Sequence, residues 1–243
     1  MKRFARVLPV LAAIALSVSA WAWVTPVDIT NGDTYEVVPR LGVDSNNNIH
    51  MVWYGNGADA SDWDICYQKF NGSSWSSPVV ISGNGAAYPD IAVDGSNNLH
   101  VVWHQENNSA DVYYRKCTNG VWGATVNLSN TSGVRSLTPR IACDSTGNDI
   151  MVVWHEDNMT GGEWDIVGRR RVSGDWGALE NVSADSTLSR NVEIVRDSNG
   201  TYHIAWEDTD TKHAYWRARF SNGAYGAKTA RYTTSGRSFG PSL

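Results

Sequence analysis

Short apolar runs alternate with polar turns along most of the chain, and the alternation itself repeats. The segment Pro39–Asp44 recurs as Pro89–Asp94 and Pro139–Asp144, each copy 50 residues after the last. A fourth copy, Val192–Asp197, follows 53 residues later. A turn rich in Asn, Ser and Gly comes after each copy, and these residues tolerate the left-handed backbone of hairpin turns. The pattern predicts one structural unit that is repeated four times.

Each unit contains three further β-rich runs. The first ends in Trp53, Trp103, Trp154 or Trp206. The second follows a polar loop of variable length and begins at Asp64, Asp111, Asp165 or, in the divergent last copy, Ala214. A Gly turn then leads through an aromatic residue to a last short strand. Four strands in roughly 50 residues is typical of one propeller blade. The sequence therefore predicts an all-β fold, a β-propeller of four-stranded blades.

The predicted blades cover approximately residues 36–83, 86–131, 136–185 and 189–234, and a fifth repeat begins at 239. Trp23–Ile29 matches the outermost strand of a unit. An array with open ends exposes strand edges and apolar blade faces. We therefore expect four complete blades with partial ends, as a fragment of a larger ring, and self-association through the open faces. A four-blade ring and a ring completed by a second chain are the alternatives.

The first residues match a targeting signal. Lys2, Arg3 and Arg6 precede the apolar stretch Val7–Ala20, and Ala20–Ala22 fits the small-x-small cleavage pattern. The stretch is shorter than the ~20 apolar residues of a membrane span. We predict a signal peptide over residues 1–22, a secreted protein (extracellular or periplasmic) and no membrane span after cleavage.

Composition and motifs narrow the classes of function. A formal net charge of −5 gives no basic surface for nucleic acid. The spacing of the three cysteines matches no zinc pattern, and the chain has no phosphate-binding Gly loop and no nucleophilic Ser elbow. We therefore expect no cofactor and no metal, and no catalytic residue can be assigned. Twelve Trp and ten Tyr suit half-buried strand faces, with the ring inside and a polar atom outside.

Positions that differ between blades are candidates for binding, whereas residues shared by the blades, such as His50, His100 and His203, are expected to be structural. Directly after the repeated Trp residues come Tyr54, His104, His155 and Glu207. The innermost strands begin near Arg40, Asp90, Arg140 and Glu193. Strand direction places both sets at one end of the central channel, which we call the mouth. Loops on a rigid scaffold commonly carry binding residues. The predicted ligand-binding residues are Arg40, Tyr54, Asp90, His104, Arg140, His155, Glu156 and Glu207.

Three other Trp residues, Trp63, Trp164 and Trp216, are candidates for stacking on sugar rings. The alternative is that they pack within or between blades, and that the mouth residues are solvated and bind nothing. Acidic residues of the same loops could supply the paired carboxyl groups of a glycosidase, which must lie about 5–10 Å apart.

The segments Asp-x-x-Gly-Asn-x-His-Val-Val-Trp, Asp-Ile-Tyr-Tyr and Gly-x-x-Trp together resemble the BNR-type, sialidase-like propeller repeats of secreted bacterial proteins. The Gly turns before Trp75, Trp122, Trp176 and Tyr225 resemble degenerate Asp-boxes, which are structural turns. The resemblance implies an arginine triad, a Tyr nucleophile activated by Glu, and an Asp acid/base. None of these roles can be carried over to a residue of this chain, because Pro39-Arg40 departs from the family's Phe/Tyr-Arg-Ile-Pro segment.

The sequence therefore predicts a secreted, non-catalytic recognition module whose ligand is a glycan of a surface or the extracellular space. The first alternative is a sialidase-like glycoside hydrolase with part of its active site outside this chain. The second alternative is a protein-interaction scaffold within a larger exported protein, whose ligand would be an extracellular protein.

Overall fold

The computed structural model describes residues 26, 28–30, 35–55, 63–107, 109–157 and 164–230. The predicted signal peptide at 1–22, the fifth repeat from 239 and the last residues of the fourth predicted blade lie outside these ranges. Strands and turns make up the described residues, and no helix among them is long and apolar enough to cross a membrane.

The strands of the described residues form four antiparallel sheets, which we call blades 1 to 4. Blade 1 contains β1 (Glu36–Val43), β2 (Ile49–Gly55), β3 (Asp64–Phe70) and β4 (Val79–Val80). Blade 2 contains β5 (Ala86–Val93), β6 (Leu99–Asn107), β7 (Ser109–Thr118), β8 (Val121–Trp122) and β9 (Val126–Asn127). Blade 3 contains β10 (Ser136–Cys143), β11 (Asp149–Asp157), β12 (Trp164–Val172), β13 (Asp175–Trp176) and β14 (Glu180–Asn181). Blade 4 contains β15 (Ser189–Arg196), β16 (Tyr202–Asp208), β17 (His213–Arg219) and β18 (Thr229–Ala230).

Within each blade the strands pair in chain order, with the first strand innermost. The outermost strand of blades 2 and 3 is interrupted, so that β8 and β9 both pair with β7, and β13 and β14 both pair with β12. Four sheets of this kind, packed side by side, confirm the predicted all-β propeller fold. Extensive strand contacts within the described residues join blade 1 to 2, 2 to 3 and 3 to 4.

The core lies between the blades because both faces of the first two strands are apolar. One cluster joins blades 1 and 2, a second joins blades 2 and 3, and a third joins blades 3 and 4. The repeated Trp residues Trp103, Trp154 and Trp206 are fully buried in these clusters. Each cluster fixes the position of one blade against the next, and therefore the position of the loops at the mouth.

The histidines shared by blades 1 and 2 hold the hairpin turns at the end of the propeller opposite the mouth. His100 Nε2 lies 3.2 Å from Asp94 Oδ2, and its Nδ1 lies 2.8 Å from the Tyr114 hydroxyl. Asp94 Oδ1 also accepts the backbone N–H groups of Ser96 and Asn98. The polar groups of this Asp–His–Tyr set therefore bond to one another, which supports the interpretation that the shared histidines are structural.

In blade 4 the third strand begins one residue earlier than the sequence alignment predicts. Trp206 pairs with Tyr215, as Trp103 pairs with Tyr113 in blade 2. His213, and not Ala214, is therefore the counterpart of Asp111. Trp216 consequently takes the place of Tyr114 and stacks on His203, with ring centroids 5.7 Å apart. This placement favours the alternative interpretation of Trp216, in which its ring packs within the blade.

Candidate functional site

Antiparallel pairing brings the start of each innermost strand next to the end of the following strand. Val37 pairs with Tyr54 in blade 1, and Leu137 pairs with His155 in blade 3. The loops between second and third strands leave from the same end. The mouth is therefore built from the same structural positions in every blade, with different side chains in each.

Every innermost strand contains a β-bulge near its start, seen as a register shift before Arg40, Asp90, Arg140 and Glu193. One residue of each bulge has a left-handed backbone: Val38 (φ 53°), Tyr88 (φ 52°), Thr138 (φ 48°) and Asn191 (φ 52°). This conformation costs about 1–2 kcal/mol for a residue other than Gly. Strained backbone and bulges occur preferentially beside functional sites, where they aim a side chain. In this protein the bulge residues Tyr88, Thr138 and Asn191 contact side chains of the mouth.

The bulge residue of blade 2 connects blades 1 and 2 through stacked rings. Tyr88 stacks on Tyr54 of blade 1 at 5.3 Å and on His104 of its own blade at 5.4 Å. Trp63 also contacts Tyr54, in a tilted arrangement with 5.2 Å between the ring centroids. Trp63 and Tyr88 are 37% and 39% exposed, which leaves ring surface open to a ligand. The four side chains form one aromatic row across two blades.

The bulge residue of blade 3 continues this row with hydrogen bonds. The backbone N–H of Thr138 donates to His104 Nδ1 at 3.2 Å, and its hydroxyl lies 2.7 Å from His155 Nδ1. Trp164 packs edge-on against His155, at 4.8 Å. We call the connected set the mouth arc; its members are Trp63, Tyr54, Tyr88, His104, Thr138, His155 and Trp164.

Blade 4 presents an amide and a carboxylate in the corresponding positions. The side-chain amide of Asn191, the fourth bulge residue, donates to Glu207 Oε2 at 2.7 Å. Asn191 is exposed, whereas Glu207 is buried. The mouth therefore changes in character, from aromatic in blades 1 and 2 to hydrogen-bonding in blades 3 and 4.

Charged residues of the innermost strands lie next to the arc and face the channel. Arg140 Nε donates to Glu193 Oε1 at 3.0 Å, and Arg40 lies 3.9 Å from the same oxygen. Asp90 Oδ2 accepts the backbone N–H of Ile141 at 3.0 Å, on the strand next to its own. These contacts join residues of all four blades around the channel.

Burial determines the protonation of the mouth residues. It lowers the pKa of His104 to about 4 and that of His155 to about 3, with nearby arginine charges acting in the same direction. Both imidazoles are therefore neutral at pH 7. Burial raises the pKa of Asp90 to about 6, against the opposing effect of the Arg140 charge. Burial and the Tyr88 hydroxyl also raise the pKa of Tyr54.

Seven of the eight predicted site residues lie at the mouth in the structure, and the eighth, Glu156, does not. Glu156 points into blade 3, where it is fully buried and accepts hydrogen bonds from Trp154 Nε1 and Ser136 Oγ at 2.8 and 2.9 Å. It lies beside His155 in the chain, and successive side chains of a strand point to opposite faces. Sequence reasoning missed the bulge residues Tyr88, Thr138 and Asn191, although their position before the repeated channel residue was visible in the alignment.

A separate cleft of about 250 Å³ lies between blades 1 and 2 at the opposite end of the propeller. Asp44, His50 and Tyr67 line it together with Lys69 and Asn97. The first three already bond to one another, in the set that blade 2 repeats, and Asn97 bonds to Ser45. The mouth is the stronger candidate for binding because its side chains differ between blades and expose aromatic surface.

The three cysteines are free, and burial raises the pKa of each thiol, so none is an activated nucleophile. Among the described residues, no group of three or more His, Cys, Asp or Glu side chains is placed to hold a metal ion.

Solved structures share the fold of this chain at low sequence identity. An α-L-arabinanase from Penicillium chrysogenum, complexed with arabinobiose, is 13% identical, with a TM-score of 0.56 over 79% of this chain and 66% of the arabinanase. A protein of unknown function from Dyadobacter fermentans is 11% identical, with a TM-score of 0.65 over 82% of this chain and 70% of the other. A subtype N10 neuraminidase-like protein from a little yellow-shouldered bat virus is 9% identical, with a TM-score of 0.56 over 79% of this chain and 58% of the other.

No protein-family model matches the sequence, and no curated protein matches it. At these identities the structural likeness establishes the propeller fold alone.

Proposed function

We propose that this protein is an exported recognition module that binds glycans at the mouth of the propeller. The mouth arc carries the proposal. Exposed rings of Trp63 and Tyr88 can stack on the C–H faces of sugars, while the exposed amide of Asn191, which Glu207 holds in place, can bond to hydroxyl groups. A row of rings followed by an amide group suits a ligand with several sugar units.

Two other observations support the proposal. The arabinanase of the same fold was solved with arabinobiose, so a propeller of this kind can hold a sugar ligand. The basic and apolar N-terminal segment of this chain is typical of an export signal, which would bring the protein to extracellular or surface glycans.

Replacing Tyr88 by Ala should weaken glycan binding roughly tenfold, because it removes the ring that joins the two halves of the aromatic row; this loss corresponds to about 1.4 kcal/mol. Affinity electrophoresis in gels containing debranched arabinan, galactan or xylan measures the effect as a change in mobility. Phe220→Ala is the matched control, since Phe220 is 42% exposed and lies at the opposite end of blade 4. Equal retardation of the wild type and Tyr88→Ala would contradict the site, and no retardation in any gel would contradict the proposed function.

A second function, glycoside hydrolysis, is favoured by the setting of Asp90. Glycoside hydrolases use two carboxyl groups, one of which donates a proton to the leaving group. Burial raises the pKa of Asp90 to about 6, which suits a proton donor, and Glu193, which accepts a hydrogen bond from Arg140 Nε at 3.0 Å, is the candidate for the second carboxyl group. Release of reducing ends from the same polysaccharides, and its loss in Asp90→Asn, tests this candidate. Failure of the wild type to release reducing ends excludes hydrolysis of these polysaccharides and leaves recognition intact.

A further inference from the structure

Most of the arginines at the mouth lie close to acidic side chains, and this arrangement affects the charge of the glycans that the mouth can bind. Arg140 donates to Glu193 at 3.0 Å through Nε and to the Pro139 carbonyl through a terminal nitrogen, also at 3.0 Å. Arg40 lies 3.9 Å from the same carboxylate. Of the two channel arginines, Arg140 is therefore paired with Glu193, and Arg40 lies near the same carboxylate.

Acidic residues also lie near the cations farther out at the mouth, although among the described residues only one of these cations forms an ion pair. Arg135 pairs with Glu106 at 3.2 Å on the rim. Arg190 lies directly across the β15–β16 register from Glu207. The loop that carries Lys212 also carries Asp208 and Asp210. Within the part of the chain that the structure describes, each of these cations thus has at least one acidic neighbour in space or sequence.

The two histidines of the arc add no positive charge at neutral pH. His104 and His155 are 4% and 7% exposed, and burial holds the pKa of both well below 7. Asp157, which accepts the backbone N–H of Arg135 at 3.0 Å, adds a further negative charge at the rim. Acidic groups therefore balance or exceed the basic groups around the arc.

We infer that the mouth selects uncharged glycans and rejects glycans that carry carboxylate groups. This inference rests on the proposed glycan-binding function and specifies its ligand class. A carboxylate entering the mouth would lose hydration, would compete with Glu193 for the channel arginines, and would approach the surplus acids. The sialidase-like repeats that this sequence resembles imply an arginine triad for a carboxylate, so the inferred ligand class differs from the one that the resemblance implies.

The first test compares debranched arabinan and galactan with polygalacturonate in affinity gels at low salt, using the full chain. Retardation by a neutral polysaccharide, with none by polygalacturonate, is the expected result. Retardation by polygalacturonate equal to or stronger than that by the neutral polymers overturns the inference while sustaining glycan binding. No retardation by any polysaccharide overturns the proposed function, and the inference with it.

The second test removes the negative charge of Glu193, next to which the channel arginines lie. Glu193→Gln keeps the shape of the side chain but removes the charge that Arg140 and Arg40 share, so binding to polygalacturonate should rise at least roughly tenfold. Glu180→Gln is the matched control, because it makes the same change in net charge on β14, where Glu180 pairs with the buried Arg219. Thermal melts of both variants establish that they are folded. A folded Glu193→Gln protein with no gain over Glu180→Gln overturns the assignment of selectivity to the paired arginines.

Discussion

Replacing Trp154 by Ala should destabilise the protein by about 6 kcal/mol, a large part of the 5–15 kcal/mol that a folded domain commonly has. Truncation of a buried Trp costs about 3–5 kcal/mol through lost contacts and the cavity left behind. Trp154 also donates through Nε1 to Glu156 Oε2 at 2.8 Å. Glu156 is fully buried, so the loss of this donor adds about 1–3 kcal/mol.

The equivalent residue of blade 2 provides the control. Trp103 is just as buried, but its Nε1 lies 3.5 Å from Gln105 Oε1, at the limit of a hydrogen bond. Trp103→Ala should therefore cost roughly 1–3 kcal/mol less than Trp154→Ala. Urea unfolding followed by Trp fluorescence measures both variants. Equal losses would show that the bond to Glu156 contributes nothing.

Acidification from pH 7 to pH 4 should lower the free energy of unfolding by on the order of 3 kcal/mol, mainly through His104 and His155. Folding lowers their pKa values from 6.5 to about 4 and about 3, so the unfolded chain takes up protons first. Their contribution is complete above pH 6.5 and is lost as the pH falls toward 3. Each pKa unit corresponds to about 1.36 kcal/mol. Asp90 acts in the opposite direction, since its pKa is raised to about 6 and its protonated form favours folding as the pH falls.

The variant that tests this prediction is His104→Asn combined with His155→Asn, because the Asn oxygen can replace Nδ1 as the partner of Thr138. Its stability should fall much less between pH 7 and pH 4 than that of the wild type. A double variant that keeps the wild-type pH slope would refute the assignment.

The repeat made most of the fold predictable from the sequence. The four Trp residues of the apolar runs and the Asp residues of the turns recur at nearly constant spacing, and each type has one physical role in every blade. The sequence predicts the third strand of blade 4 one residue too late, because His213 replaces the Asp that marks the strand start in the other blades. When the residue that marks a strand start is replaced, the sequence no longer shows where the strand begins, and only the backbone pairing gives its register.

The sequence indicates which end of the propeller carries the mouth, but not the bulges and side-chain directions that shape it. Tyr88 and Thr138 precede prolines, a setting that favours extended backbone, and yet both are left-handed in the structure. Local preference therefore gave no sign of the bulges, which depend on packing between blades. Glu156 was assigned to the mouth by its neighbours in the chain, while strand alternation turns it inward. The pairing of Arg40 with Glu193 joins the first and last blades and has no local signal at all.

Hydrogen–deuterium exchange with and without a bound oligosaccharide tests the central claim most directly. The ligand is a short oligosaccharide made from whichever polysaccharide retards the protein most in the affinity gels. Binding at the mouth predicts slower exchange at the bulges, in residues 86–90, 136–140 and 189–193, and no change at the opposite turns, in residues 44–48 and 94–98. Protection confined to those opposite turns, which border the cleft between blades 1 and 2, would contradict binding at the mouth.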